Sequence, residues 1–209
     1  MKNTIVAPVG TNIDALFIAI KEFATEKVIL ISPESHLAKA ESAAKDLERF
    51  HIPVDIIRIK SNIWDEIFRV ISQISKTEKN LLINVATGDG NMQCAATSAA
   101  FVNGIKAMAV EDNKPMMLPV MKFSYYKMIS DRKMAIVKIL FHEKDCCSSL
   151  EQLSQKAKMS LPLVSYHING TPKSEGLKSM GLVETEEEKG RVIVKLSPLG
   201  RMLVNGYVT

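Results

Sequence analysis

Hydrophobic and polar positions follow two rhythms along this chain. Short, nearly unbroken apolar runs at 4–9, 28–31, 54–59 and 81–85 are rich in Val, Ile and Leu and predict buried strands. Between them apolar residues recur at helical spacing: Leu16, Phe17 and Ile20 within 13–23; Leu37, Ala40, Ala44 and Leu47 within 35–50; Ile63, Ile67, Val70, Ile71 and Ile74 within 63–74. An Ala-rich helix is predicted over 92–103. Two further runs, 105–110 and 116–120, flank Glu111-Asp112-Asn113-Lys114 and read as a closing hairpin. Strand–helix alternation repeated four times implies an α/β fold, a Rossmann-like, mostly parallel sheet with helices on both faces.

If the strand order follows the Rossmann pattern, strands one and four are neighbours at the topological switch point, and ligands of open α/β sheets bind there. The turns after those strands are Gly10-Thr11-Asn12 and Thr87-Gly88-Asp89-Gly90-Asn91. Each would open a helix with its backbone N–H groups pointing outward, an arrangement that attracts anions. The plainer alternative is an ordinary β–α turn whose glycines serve only the backbone. A dinucleotide or Walker-type site is argued against. The first turn has one glycine, Gln93 stands where a third glycine would follow Gly88 and Gly90, and Ser32-Pro33, with no acidic residue, closes the second strand.

From Asp131 the rhythm becomes helical. Met134, Val137, Ile139 and Leu140 are spaced for burial over 131–142, and Ser149-Leu150-Glu151-Gln152 reads as a capping box opening a helix to 158. Ser160 is placed to cap the next helix, with Pro162 in its first turn. A hairpin over 183–196, with Glu186-Glu187-Glu188 near its tip, and a last helix from 197 complete a winged helix-turn-helix plan. Charge separates the two halves. Residues 1–120 carry 13 Lys+Arg against 14 Asp+Glu, net −1, whereas residues 121–209 carry 14 against 9, net +5. A polyanion partner is therefore expected for the second half, double-stranded DNA above all, with protein–protein docking as the alternative.

Val164-Ser165-Tyr166-His167-Ile168, Leu177-Lys178-Ser179-Met180-Gly181-Leu182-Val183 and Leu196-Ser197-Pro198-Leu199-Gly200 resemble the successive signatures of winged-helix transcription regulators. On this reading Ser165, Tyr166 and His167 face the major groove, Lys173, Lys178 and Arg191 reach phosphates, and Ser160 belongs to the same DNA-binding set. Asn169-Gly170-Thr171-Pro172 interrupts the helix where most such helices continue. Together with the two Gly-bearing turns, the whole chain resembles the archaeal CRISPR-locus regulators that join a CARF (CRISPR-associated Rossmann fold) domain to a winged helix-turn-helix.

That resemblance implies a sensing domain over 1–121, a linker over 122–130 and a DNA-binding domain over 131–209. It implies a cyclic oligoadenylate, cyclic tetra-adenylate first, bound across a homodimer axis. The ligand would lie against Val9, Gly10, Thr11, Asn12, Ser32, Thr87, Gly88, Asp89, Gly90, Asn91 and Met92. Where many such domains carry Lys or Arg in the fourth turn, this chain has Asn91.

No catalytic role is expected and no cofactor beyond that ligand. The alternatives are a metal-independent ring nuclease, in which Thr11 orients a 2′-hydroxyl attack, and a regulator of some other small metabolite. No metal cluster is expected, since His36, His51, His142 and His167 fall in separate elements. Cys94, Cys146 and Cys147 are expected as buried small hydrophobes. No run has the length of a membrane span or the form of a signal peptide, which suggests a soluble cytoplasmic protein.

Overall fold

The computed structural model describes residues 2–60, 62–120, 129–142, 149–188 and 190–208. The chain divides into two compact units, Met1–Tyr126 and Lys127–Val208. Most of the expected linker and both Cys146 and Cys147 lie outside the described residues.

The first unit is a six-stranded sheet in the order β3-β2-β1-β4-β5-β6. Its strands are β1 Asn3–Pro8, β2 Thr25–Pro33, β3 Val54–Ile59, β4 Leu81–Asn84, β5 Lys106–Glu111 and β6 Lys114–Met117, and all but the last run parallel. Val6 of β1 lies level with Ile29 of β2 on one side and Ile83 of β4 on the other. Helices α1 Ala15–Glu22 and α2 Leu37–Glu48 pack one face through Leu16, Ala19, Ala40, Ala43 and Leu47. Helices α3 Ile63–Thr77 and α4 Gly90–Asn103 pack together, and right-handed crossovers put them on the opposite face. Strands one and four are thus neighbours, as the Rossmann order has them.

The hairpin at the sheet edge corrects the sequence expectation. Residues 116–120 were expected as its second strand, but β6 begins at Lys114, level with Glu111, so only Asp112 and Asn113 make the turn. Both have positive φ, 48° and 56°. Two left-handed residues in a two-residue loop match the right-handed twist of a hairpin, and Asp and Asn tolerate that region best after Gly.

The second unit contains α5 Asp131–His142, α6 Leu150–Ala157, α7 Leu161–Asn169, an antiparallel ribbon of β9 Val183–Glu188 and β10 Arg191–Leu196, and α8 Pro198–Val208. Its core includes Ile136 and Val137 of α5, Leu153 of α6, Val164 and Ile168 of α7, Val194 of β10 and Leu203 of α8. Ser149 caps α6 by accepting from Gln152 N, and the Ser197 hydroxyl accepts from Gly200 N at 2.9 Å in the first turn of α8. One element was not foreseen: β7 Gly170–Thr171 pairs with β8 Ser174–Glu175 as a miniature ribbon straight after α7.

Candidate functional site

The turns after β1 and β4 meet. Val9 N donates to Ile31 O at 2.8 Å, which extends the β1–β2 pairing by one residue, and Gly10 N then crosses to Thr87 O at 3.1 Å. A Cβ built on Gly10 would stand 2.6 Å from the Gly88 carbonyl carbon and against the Asp89 amide nitrogen. Only glycine admits that approach, so Gly10 is required by contact and not by φ. Gly88 is also closely packed, since a Cβ there would stand 2.7 Å from Met92 Cβ. Gly90, by contrast, faces open space.

Of the residues expected against a ligand, several are interior. Val9, Ser32, Thr87 and Met92 are fully buried. The Ser32 hydroxyl donates to Pro33 O at 3.0 Å, and that of Thr87 to Asn84 O at 3.2 Å. These four therefore shape the turns from below, and their side chains are not presented at the surface. Gly10 and Gly88 are buried as well, whereas Thr11, Asn12, Gly90 and Asn91 are exposed.

Asp89 is half-buried and caps α4, accepting from Met92 N at 3.1 Å. The sequence pointed to an open, anion-attracting helix start. The structure puts a carboxylate on it, which satisfies one of the unpaired N–H groups and offsets the dipole. Neither turn carries a cation over 8–14 or 85–93, and Asp14 adds a second carboxylate beside the first turn. Within these two turns an anionic ligand meets only main-chain N–H groups and the neutral side chains of Thr11, Asn12 and Asn91.

Two features of this edge escaped the sequence reading. Buried Asn84, the last residue of β4, donates to Ala15 O at 2.9 Å and accepts from Ala86 N at 3.1 Å, so it fixes the geometry of both turns. The 3₁₀ turn Glu34–His36 after β2 and Lys60 after β3 also stand at the carboxyl ends of parallel strands. In an open α/β sheet this is the ligand-binding end, and the topology alone could have nominated them.

In the second unit α7 presents Leu161, Pro162, Tyr166 and Asn169 to solvent, with Ser165 half-buried beside them. Asn169 Nδ2 donates to Ser165 Oγ at 3.2 Å. Ser160 is the N-cap residue and is exposed, although its hydroxyl makes no capping bond. Lys173, Lys178 and Arg191 are all exposed.

His167 overturns the expectation of a groove-facing side chain: it is 6% exposed, and neither ring nitrogen has a hydrogen-bond partner among the described residues. Helical spacing explains this, because 164, 167 and 168 share the stripe that packs inward. Burial, reinforced by the charges of Lys133 and Arg132, holds its pKa below the ordinary 6.5. The exposed stripe passes instead through Asn169, which the sequence reading had placed in the interruption. Cys94, expected to be buried, is exposed on α4. Among the described residues no group of three or more His, Cys, Asp or Glu could hold a metal ion, and no helix is long and apolar enough to cross a membrane.

No protein-family profile matches this chain, and no curated protein matches it. Among solved structures it is similar to protein VC1899 from Vibrio cholerae, at 12% identity and a TM-score of 0.48, covering 98% of this chain and 64% of that one. It is similar to Can2 from Sulfobacillus thermosulfidooxidans, solved in complex with cyclic tetra-adenylate, at 13% identity and a TM-score of 0.45, again covering 98% and 64%. A type III CRISPR defence DNA nuclease activated by cyclic oligoadenylate shares 11% identity at a TM-score of 0.45, over 90% of this chain and 36% of that one. This chain thus spans less than two thirds of the length of these proteins. At such similarity nothing about ligand or activity passes to it.

Proposed function

We propose that this chain is a dimeric, ligand-responsive transcription regulator of CRISPR-associated loci, with a CARF-type sensing unit and a winged helix-turn-helix unit. The observation that carries the reading is the junction of the two turns at the switch point, where Gly10 seats on the Gly88–Asp89 peptide. The junction itself is buried at Gly10, Thr87 and Gly88, and it fixes the turns whose exposed residues are Thr11, Asn12, Gly90 and Asn91. The ligand class, a cyclic oligoadenylate and cyclic tetra-adenylate first, comes from the sequence resemblance.

The second unit supports DNA binding by its net +5 over residues 121–209 and by the exposed stripe of α7, with Ser165, Tyr166 and Asn169 available to base edges. The ribbon β9–β10 would serve as the wing. Its outer face alternates Glu184 and Glu186 opposite Lys195 and Ile193, and Lys195 pairs with Glu186 at 2.5 Å, so phosphate contact falls to Arg191.

Dimer formation is supported by α4. Its 14 residues include no charge, and its exposed positions hold Gly90, Asn91, Cys94 and Phe101. On the opposite face α2 exposes Lys39, Glu41, Lys45, Asp46 and Glu48. An uncharged helix surface beside the turns fits a symmetric contact that places two sets of turns around one ligand. Binding is favoured over ring cleavage because no cation stands in either turn to stabilise charge developing on a phosphate.

Incubation with cyclic tetra-adenylate, followed by chromatography of the products and a shift assay on duplexes selected from a random pool, tests the reading. Intact bound ligand and a selected DNA sequence are expected. Cleaved ligand would make the protein a ring nuclease, and absence of binding would point to another metabolite.

A further inference from the structure

Helix α7 is short. Nine residues at 1.5 Å each reach about 13 Å. It stops because Gly170 takes φ 75°, ψ −167°, and the chain turns back through β7 and β8. The return is tight. A Cβ on Gly176 would collide with the main chain of Ile168, Asn169 and Gly170. Leu177 N and Lys178 N then donate to His167 O and Ile168 O, both at 2.9 Å, and so satisfy carbonyls that the end of a helix leaves unpaired. The Ser179 hydroxyl accepts from Gly176 N at 3.0 Å. The ribbon is therefore fixed to the end of α7 by main-chain bonds on its returning side.

Lys133 of α5 also reaches the ribbon. It is 9% exposed, and its ammonium donates to the carbonyl oxygen of Glu175, the last residue of β8. No carboxylate pairs with it among the described residues. A buried ammonium is costly, and an apolar side chain of similar length would fill that space at a lower cost. What the amine adds is a fixed position for Glu175. At the other end of the ribbon Thr171, Pro172 and Lys173 are exposed, and Pro172 restricts the backbone there.

We propose that the β7–β8 ribbon is a second DNA-contacting element, a rigid arm that brings Lys173 to the phosphate backbone beside the groove entered by α7, and that Lys133 is its positioning residue. This rests on the DNA-binding reading above. It gives a role to the interruption at 169–172: the recognition helix is cut short, and a braced ribbon occupies the place of its second half.

The experiment is anisotropy of a labelled mixed-sequence duplex DNA, titrated with the full chain at several salt concentrations. Lys173→Ala should lower the slope of log affinity against log salt by about one unit, with an unchanged thermal melt. Lys133→Met should lower it by a similar amount, and the double variant by no more than either single one. Lys133→Gln, which keeps a donor, should restore most of the slope.

An unaltered slope in Lys173→Ala, in a wild type that binds DNA, overturns the ribbon as a contact. Losses that add fully in the double variant, or a Lys133→Met chain without a cooperative melt, overturn Lys133 as its positioner. A wild type that binds no duplex at any salt overturns the DNA-binding reading itself, and the ribbon's role with it.

Discussion

The side-chain amide of Asn84 reaches the main-chain carbonyl of Ala15 across 2.9 Å, so the last residue of the fourth strand holds the first residue of the first helix. The same side chain accepts from Ala86 N, and Asn84 is fully buried. Asn84→Leu keeps roughly the volume but orphans Ala86 N and removes the tie to Ala15 O. The first unit should lose about 1–3 kcal/mol, the cost of a buried unpaired group. Urea unfolding measures this, and an unmoved midpoint would show that Ala86 N finds another partner.

Asp89 supports and opposes the proposed site at once. Its carboxylate caps α4, yet it places negative charge where a phosphate would lie. Asn caps a helix about as well as Asp, so Asp89→Asn should leave stability within a few tenths of a kcal/mol while tightening an anionic ligand several-fold. Calorimetry with cyclic tetra-adenylate reads the difference. A weaker complex would place the ligand away from the α4 start.

His167 makes the second unit sensitive to acid. Its pKa is lowered by burial first and then by Lys133 and Arg132, so the unfolded chain binds a proton more readily than the folded one. Stability from this residue is complete above the unfolded value near 6.5, falls as pH drops below it, and levels off once pH passes under the folded value. His167→Phe, which removes two unpaired nitrogens, should flatten that part of the stability curve. A parent and variant with parallel curves between pH 7 and pH 5 would refute the assignment.

Phe101 tests the dimer. It is 41% exposed on the uncharged helix α4, and Phe101→Glu should convert a two-fold particle to monomer in sedimentation without changing the melt of the first unit. Identical sedimentation of the two proteins would remove α4 from the contact.

The periodic parts of the fold were legible. Buried parallel strands and amphipathic helices leave a pattern, so the four strand–helix units and the capping box at Ser149 could be read along the chain. Single residues whose role depends on a partner far away in sequence could not. Asn84 reads as a polar break in an apolar strand until Ala15 lies beside it, 69 positions apart. Asp89 was visible in a Gly-rich turn, but a cap and an open anion site begin with the same letters.

His167 was misplaced by treating three consecutive residues as one surface. At 100° per residue a helix cannot present 165, 166 and 167 together. The hairpin end differs for another reason: 111–114 reads as a polar loop, but Glu111 and Lys114 pair and only Asp112-Asn113 forms the turn.

Gly10 and Gly88 leave no gap between the two turns. The Gly10 N–H bond to Thr87 and the absence of a Cβ at Gly10 weld the ends of β1 and β4 into one piece. The contact leaves no gap to open, so a molecule held in the proposed site would rest on a fixed anvil. By linkage, a surface that does not change between two states lends no leverage to what it binds. In the proposed sensor, sensitivity would then reside in whatever closes over the molecule, and that second jaw would decide whether binding is felt elsewhere.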